Sequence, residues 1–198
     1  LLNCRELLFR NNPKKVVYIY ASRSPFVQEL LQKGLIHKAV NNLPETYEAL
    51  EKLVEPFFND GVIVVVDDGL SQMRKYLPQV FEEFTSKMNT TMIFVSQASF
   101  VDSDDFRRMS DNSHYIILTL NKRNPRKIKT LALQSKPCNH KFVINSYLDA
   151  TRMKTLSTPY PNNRGYGYFI LDFHLESPGI LEYKTNIFPS EIEPVTVY

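Results

Sequence analysis

Residues 62–69 read VIVVVDDG, which is five apolar β-branched residues followed by two aspartates and a glycine. An apolar run of this length, without alternating polar residues, predicts a strand that is buried on both faces, as in the centre of a parallel sheet. Ligands of open α/β sheets bind at the carboxyl ends of such strands. Asp67 and Asp68 are therefore predicted to lie where a ligand binds.

Two interpretations of this aspartate pair stay open on the residues alone. Proteins that hydrolyse nucleotides on a P-loop place an acidic residue at such a strand end, where it holds Mg²⁺ on the β- and γ-phosphates. The other interpretation is an ordinary turn made by Asp67, Asp68 and Gly69, because Asp and Gly are common turn residues.

The rest of the chain alternates predicted strands and helices, which indicates a three-layer α/β fold in a single domain spanning residues 1–198. Further strands of one mostly parallel sheet are predicted at Val16–Tyr20, Met92–Val95 and Tyr115–Leu120. Helices are predicted at Ser24–Lys33, Glu45–Phe58, Ser71–Met88 (kinked or split at Pro78) and Pro125–Gln134. Two more strands are predicted at Tyr166–Phe173 and Leu181–Phe188. Turn residues connect them, so they are predicted to pair antiparallel at one edge of the sheet.

Polar residues follow two other predicted strands at the same edge of the sheet, as Ala21-Ser22 and Ser96-Gln97. A metal-holding Asp67, a second carboxylate that orients or deprotonates water, and an amide that contacts a γ-phosphate would make a hydrolytic site. Gln97 taken alone is more often a plain polar strand terminus, so its role depends on Asp67 and Asp68.

A phosphate-binding loop of the type GxxxxGK[ST] does not occur in the sequence, since none of the six glycines precedes Lys-Ser or Lys-Thr in this way. Such a loop lies between a first strand and a first helix. The chain starts with Leu1 and not with Met, and Leu1–Arg10 has the spacing of the end of a helix. We therefore expect an N-terminal truncation, with the loop just upstream of Leu1.

Charge is distributed unevenly along the chain. Of the 24 basic and 21 acidic residues, ten basic residues and a single acidic one, Asp149, fall between Asn121 and Arg164. A basic segment of this kind predicts a surface that faces a polyanion, and a solvated basic face without a partner is the open alternative.

Other classes of site have little support. Cys4 and Cys138 form no zinc pattern and indicate a reducing, intracellular setting. The four histidines have no partner at i,i+4, so a metal site built on them is not predicted, and no G-x-S-x-G elbow occurs. No run of 18 apolar residues predicts a membrane span.

The sequence contains, in this order, the motifs VIVVVDDGL, TMIFVSQASF, RRMSDNSHYIIL, KRNPRK, YGYFILDF and YKTNIFPSE. This ordered set resembles the viral genome-packaging ATPases of the FtsK/HerA superfamily, in particular the branch of Polinton/Maverick elements, adintoviruses and poxviruses. The resemblance covers roughly residues 1–195. It implies a P-loop NTPase-like fold of the ASCE/RecA type, with an antiparallel C-terminal extension.

The resemblance assigns roles to individual residues. Asp67 matches the Walker B carboxylate that binds Mg²⁺, with Asp68 at the adjacent acidic position. Gln97 matches the polar residue that ends the next strand, and Ser96 beside it is expected at the nucleotide. Arg107 precedes the S-x-N-S/A-H-Y motif, and Arg126 is the arginine of the N-P-R motif.

The resemblance implies a DNA-packaging motor with ATP and Mg²⁺ as cofactors. Its expected partners are double-stranded DNA, further copies of itself in a ring, and viral capsid components, with no membrane. DNA contacts are expected from Lys122, Arg123 and Lys127. The expected location is intracellular, at the site of virus assembly in the nucleus or cytoplasm, or in the virion.

Two departures from the family pattern keep an alternative open. The Walker A loop is absent, and Met88 stands where the family commonly has an arginine before its third strand. The alternative is a non-catalytic nucleic-acid-binding protein, derived from such an element, that keeps the fold.

Overall fold

A computed structural model of the chain describes residues 2, 5–9, 12–22, 25–73, 75–96, 109–121, 125–152, 167–188, 191 and 194–198. They form two compact units, an N-terminal unit (Leu1–Asn112) and a C-terminal unit (Ser113–Tyr198). Each unit has hydrophobic core of its own. The assignment of residues 1–198 to a single domain stays a prediction.

The N-terminal unit contains a parallel sheet of four strands. The strands are β1 (Lys15–Tyr20), β2 (Lys38–Asn41), β3 (Val62–Asp67) and β4 (Thr90–Val95), in the order β2-β1-β3-β4. The run Val62–Val66 lies in β3 between two neighbours and is at most 5% exposed. The prediction of a buried central parallel strand from this run is therefore confirmed.

Strand β2 has no counterpart in the sequence-based prediction. It is only four residues long, reads KAVN, and pairs on one side with β1. Because an edge strand has one side open to solvent, it needs no long apolar run. The two apolar residues of β2, Ala39 and Val40, are too few to be recognised as a strand in the sequence.

Helices cover both faces of the parallel sheet. The predicted helices are present as α2 (Pro25–Gln32) and α3 (Tyr47–Val54), after the short α1 (Arg5–Leu8). Val27 and Leu30 of α2 pack with one face of the sheet, and Leu50 and Val54 of α3 pack with the other. Sandwiching between helices is what makes an unbroken apolar strand favourable, since both of its faces leave water.

The predicted helix at Ser71–Met88 is split ahead of Pro78. Helix α4 spans Leu70–Met73 and α5 spans Leu77–Gln79, with Pro78 in its first turn. A π-helical turn at Val80–Phe84 follows, and the helical segment ends with α6 (Thr85–Lys87). Proline lacks the amide proton that a helix interior needs, so it is tolerated only in the first turn of a new helix.

The C-terminal unit contains an antiparallel sheet. Its strands are β5 (Tyr115–Thr119), β6 (Tyr168–Asp172), β7 (Tyr183–Thr185) and β8 (Thr196–Val197), in that order. The predicted antiparallel pairing of the segments around β6 and β7 is confirmed. Their predicted place at the edge of the parallel sheet is wrong, because in the described part of the chain they form a sheet with β5.

The predicted parallel pairing of Tyr115–Leu120 is also wrong. The strand pairs antiparallel with β6, with Ile117 opposite Ile170. Its burial alternates, since Ile116 is 3% exposed whereas Tyr115 and Ile117 are 52% and 46% exposed. Alternation is typical of an antiparallel sheet with one covered face, and the continuous apolar letters YIILTL concealed it.

Two helices, α7 (Pro125–Ser135) and α8 (His140–Ala150), cover the face of the antiparallel sheet on which Ile116 is buried. The predicted basic helix starting at Pro125 is thus confirmed. The Tyr147 hydroxyl connects α8 to the end of β5, because it accepts a hydrogen bond from the Asn121 amide (2.8 Å) and donates one to the Thr119 carbonyl (3.1 Å).

Candidate functional site

The carboxyl ends of the parallel strands lie side by side, at what we call the carboxyl edge. In the sheet register, Asp67 of β3 lies between Tyr20 of β1 and Val95 of β4. Ala21 and Ser96 each follow one residue later along their own strands. The predicted meeting of these strand ends at one edge is therefore present for the described residues.

Asp67 is held by a tyrosine from the neighbouring strand. The Tyr18 hydroxyl donates a hydrogen bond of 2.8 Å to Asp67 Oδ2. Tyr18 is 6% exposed, and burial together with the hydrogen bond and the negative charges of Asp67 and Asp68 raises the pKa of its hydroxyl above the ordinary value. The hydroxyl therefore keeps its proton at neutral pH and acts as a donor to the carboxylate.

Asp68 forms the turn that leaves the strand. Its φ is +55°, in the left-handed region, and its amide donates a hydrogen bond of 3.1 Å to the Val95 carbonyl. The next residue, Gly69, passes so close to Leu43 that an added Cβ would lie 2.2 Å from Leu43 Cδ1. The chain therefore bends at Asp68 directly after the strand, so Asp67 and Asp68 both lie at the carboxyl edge, and both interpretations of the aspartate pair stay open.

The carboxylates at this edge are oxygen ligands of the kind that Mg²⁺ binds. Mg²⁺ commonly binds to one or two carboxylates and completes its octahedron with substrate phosphates and water. Asp67 offers Oδ1 while Oδ2 accepts from Tyr18, so the residues fit Mg²⁺ held by a single carboxylate. The described residues contain no group of three or more His, Cys, Asp or Glu side chains able to hold a metal.

The other predicted site residues divide into two groups. Gln97, Arg107, Lys122 and Arg123 lie outside the described residues. Arg126 and Lys127 occupy the first turn of α7, directly after Pro125, and Arg126 is exposed. A helix start favours anions through its free amide groups, so these two cations are in a setting that suits phosphate.

A second polar cluster, in the C-terminal unit, has no counterpart in the sequence analysis. Asp172 Oδ2 lies 2.6 Å from Lys184 Nζ, and Asp172 Oδ1 accepts a hydrogen bond of 3.1 Å from the His174 amide. The His174 ring lies 5.1 Å from the His114 ring, and its Nδ1 accepts from the Glu176 amide. The two histidines are brought together only by the antiparallel pairing of β5 with β6.

The role of Tyr18 was also missed from the sequence. In the run VVYIY it is one more large residue of a buried strand, and no spacing rule connects it to an aspartate 49 positions later. The signal that would find it is the register of β1 against β3. Tyr18 lies opposite Val65, two residues before Asp67, which is the diagonal position a tyrosine side chain can reach.

Comparison of the sequence with known proteins identifies no family for this chain. The chain matches no protein-family model, and no curated protein matches it. In the part of the chain that the structure describes, no helix has the length and apolar character needed to cross a membrane.

Proposed function

We propose that the chain is part of an ATP-driven motor that packages double-stranded DNA into a viral capsid, acting as a homo-oligomeric ring. The observation that supports this most is Asp67, which stands at the carboxyl end of a buried central parallel strand with its carboxylate oriented by Tyr18. This is where P-loop ATPases hold their Mg²⁺. The finer fold assignment, a three-layer P-loop NTPase domain, is part of the same proposal.

The proposal gives each residue at the carboxyl edge a task. Bound Mg²⁺ would supply positive charge to the phosphates of ATP. Asp67 would hold the ion, and Asp68 would orient or deprotonate the attacking water. Ser96 and Gln97 would contact the nucleotide. The position of Gln97 is inferred from its place in the sequence after β4, because it lies outside the described residues.

The remaining tasks fall to basic residues. Arg107 and Arg126 are proposed to stabilise phosphate charge, including that of a neighbouring subunit's nucleotide. Lys122, Arg123 and Lys127 are proposed to contact the DNA backbone. A motor must hold many sequences, so phosphate contacts are the chemistry it needs.

The test uses the product of the complete coding sequence, because residues 1–198 contain no GxxxxGK[ST] loop. ATP hydrolysis is measured with and without double-stranded DNA. Asp67→Asn is expected to abolish hydrolysis, and Asp68→Asn to slow turnover while ATP still binds. Asn also adopts left-handed backbone readily, so Asp68→Asn removes charge without straining φ = +55°.

A matched control is Asp60→Asn, which neutralises an exposed carboxylate just before the amino end of β3. It is expected to leave hydrolysis unchanged. Full activity in Asp67→Asn would contradict the motor, and normal turnover in Asp68→Asn would reduce Asp68 to a turn residue.

A second function, non-catalytic nucleic-acid binding, is favoured by one further observation. Met88, at the position where the resembling family commonly has an arginine, is 8% exposed and packs in the hydrophobic core. An arginine there would not reach solvent without disturbing that core. DNA binding by the complete product without any ATP hydrolysis would select this function.

A further inference from the structure

The Tyr18–Asp67 hydrogen bond leaves the two oxygens of one carboxylate in different situations. Oδ2 accepts from the Tyr18 hydroxyl at 2.8 Å, whereas no hydrogen bond from Tyr18 reaches Oδ1. Tyr18 is 6% exposed and packs with Val27, Leu30 and Val65. The position of the phenol ring is therefore fixed by packing, and moving the ring would disturb the hydrophobic core between the sheet and α2.

This asymmetry bears on which cations the carboxylate accepts. Ca²⁺ takes about six to eight oxygen ligands and often binds both oxygens of one carboxylate, whereas Mg²⁺ and Mn²⁺ take six ligands and are satisfied by one oxygen. A cation bound to both oxygens of Asp67 would share Oδ2 with the positive end of the Tyr18 O–H dipole. A cation bound to Oδ1 alone avoids that repulsion.

We infer that Tyr18 is a positioning residue that restricts Asp67 to one metal-facing oxygen and thereby selects Mg²⁺-like ions over Ca²⁺. This inference rests on the proposed role of Asp67 as the metal ligand, and it adds a cause for the ion preference. The hydroxyl would act through Asp67, to which it donates its hydrogen bond, and not by binding the metal itself. Hydrogen-bonding partners of a metal ligand commonly change metal affinity about tenfold or more when they are removed.

The experiment measures ion binding and not activity. The 198-residue chain is labelled with ¹⁵N, and Mn²⁺ is added while the broadening of the Asp68 amide signal is followed, because this amide adjoins the carboxylate. Ca²⁺ is then titrated in to displace Mn²⁺. In the unchanged chain, Ca²⁺ is expected to displace Mn²⁺ poorly, and in Tyr18→Phe about tenfold less Ca²⁺ should suffice.

Two variants serve as controls. Tyr76→Phe removes another buried tyrosine hydroxyl of the same unit, one that donates to the Pro44 carbonyl, and should leave the Mn²⁺/Ca²⁺ preference unchanged. Placing p-aminophenylalanine at position 18 restores a donor to Oδ2 and should restore the preference. A merely structural role of the ring would predict no such rescue.

The outcomes separate this inference from the proposed function. Mn²⁺ binding that is lost in Asp67→Asn but has the same Ca²⁺ competition in Tyr18→Phe would overturn the inference and leave the metal site standing. A chain that binds no Mn²⁺, or binds it independently of Asp67, would overturn both. If Tyr18→Phe fails to fold, the difference between the infrared carboxylate bands of the unchanged chain and those of Asp67→Asn, both with Mn²⁺, decides, since two-oxygen coordination of Asp67 would overturn the inference.

Discussion

Asp172 and Lys184 form a buried ion pair across the neighbouring strands β6 and β7, with 2.6 Å between Oδ2 and Nζ. The side chain of Asp172 is 2% exposed and that of Lys184 is 19% exposed. The two residues are diagonal neighbours, because Lys184 lies directly opposite Ile170. The carboxylate has a partner on each oxygen, since the His174 amide binds Oδ1.

The first prediction concerns this pair. Lys184→Met is expected to lower the free energy of unfolding by about 3 kcal/mol, because it leaves a buried carboxylate without its countercharge. The measurement is urea unfolding followed by circular dichroism. Lys33→Met is the control, because Lys33 pairs with Glu29 at the surface with both side chains more than half exposed, and it should cost at most about 0.5 kcal/mol.

The second prediction is the pH dependence that follows from Asp172. Burial alone would raise the pKa of this carboxyl, but hydrogen bonds from Lys184 and the His174 amide outweigh it and lower the pKa below the ordinary value. A carboxyl with a lowered pKa in the folded state stabilises the protein above its unfolded-state pKa of about 3.9, and this contribution is lost as the pH falls through the folded-state pKa.

Acid titration of the unfolding free energy checks this. Asp172→Asn should be less stable at neutral pH and should lose stability less steeply below about pH 4. An acid slope equal to that of the unchanged chain would show that Asp172 does not contribute to it.

The third prediction concerns the turn at the carboxyl edge. In Gly69→Ala the new Cβ collides with the Leu43 side chain, and relief requires Leu43 to move within a packed core, which should cost about 1–3 kcal/mol. The same change in a Leu43→Ala background should cost much less. Equal costs in both backgrounds of this double-mutant cycle would mean that the strain lies in the backbone and not in this contact.

The fourth prediction concerns Gly167, just before β6. A Cβ there would lie 2.3 Å from the Ala150 carbonyl oxygen and 3.1 Å from that of Arg152. Backbone atoms cannot rotate away as a leucine side chain can, so Gly167→Ala should cost about 3 kcal/mol and no side-chain truncation should restore it.

Gly179→Ala is the matched control in the same unit, because its Cβ would meet only Glu182 Oε1 at 3.8 Å. Thermal melting of the two variants compares them directly. A melting temperature of Gly167→Ala equal to that of Gly179→Ala would contradict the close approach.

The fifth prediction concerns DNA. Changing Lys122, Arg123 and Lys127 together to Ala should weaken sequence-independent binding and flatten the plot of log affinity against log salt by about one per lost phosphate contact. Fluorescence anisotropy with duplexes of two unrelated sequences measures both. Basal ATP hydrolysis of the complete product should be nearly unchanged.

A control with the same change of charge replaces Lys14, Lys38 and Lys52, which are exposed residues of the N-terminal unit. Its salt slope should stay that of the unchanged chain. If both triple variants flatten the slope equally, the basic segment is a solvated face and net charge alone governs binding.

The elements that could be predicted from the sequence are those marked by local patterns such as long apolar runs. The central strand β3, its parallel neighbours β1 and β4, and the helix from Pro125 follow from periodicity and turn residues, which are local properties. The position of Asp67 at a strand end followed for the same reason.

Pairing could not be predicted in the same way. Spacing rules do not give the register between two strands. The contact of Tyr18 with Asp67 and the approach of His114 to His174 both depend on register, so they could not be predicted. Strand β5 was assigned to the wrong sheet because its letters are apolar on both faces while its burial alternates. Exposed apolar residues such as Ile117 are the reason that composition misleads here.

The strand order has a consequence for how the chain folds. Strand β1 pairs with β2 and with β3, and both are parallel pairs that require a crossover. Strands β5 and β6 pair with each other although the segment that contains α7 and α8 separates them in the sequence. Closing such long loops costs entropy before the contacts that compensate for it exist, so folding should be slow for a chain of this size. During synthesis, the edge of β1 that pairs with β3 stays unpaired until β3 has left the ribosome, and an unpaired strand edge is a site where aggregation can start.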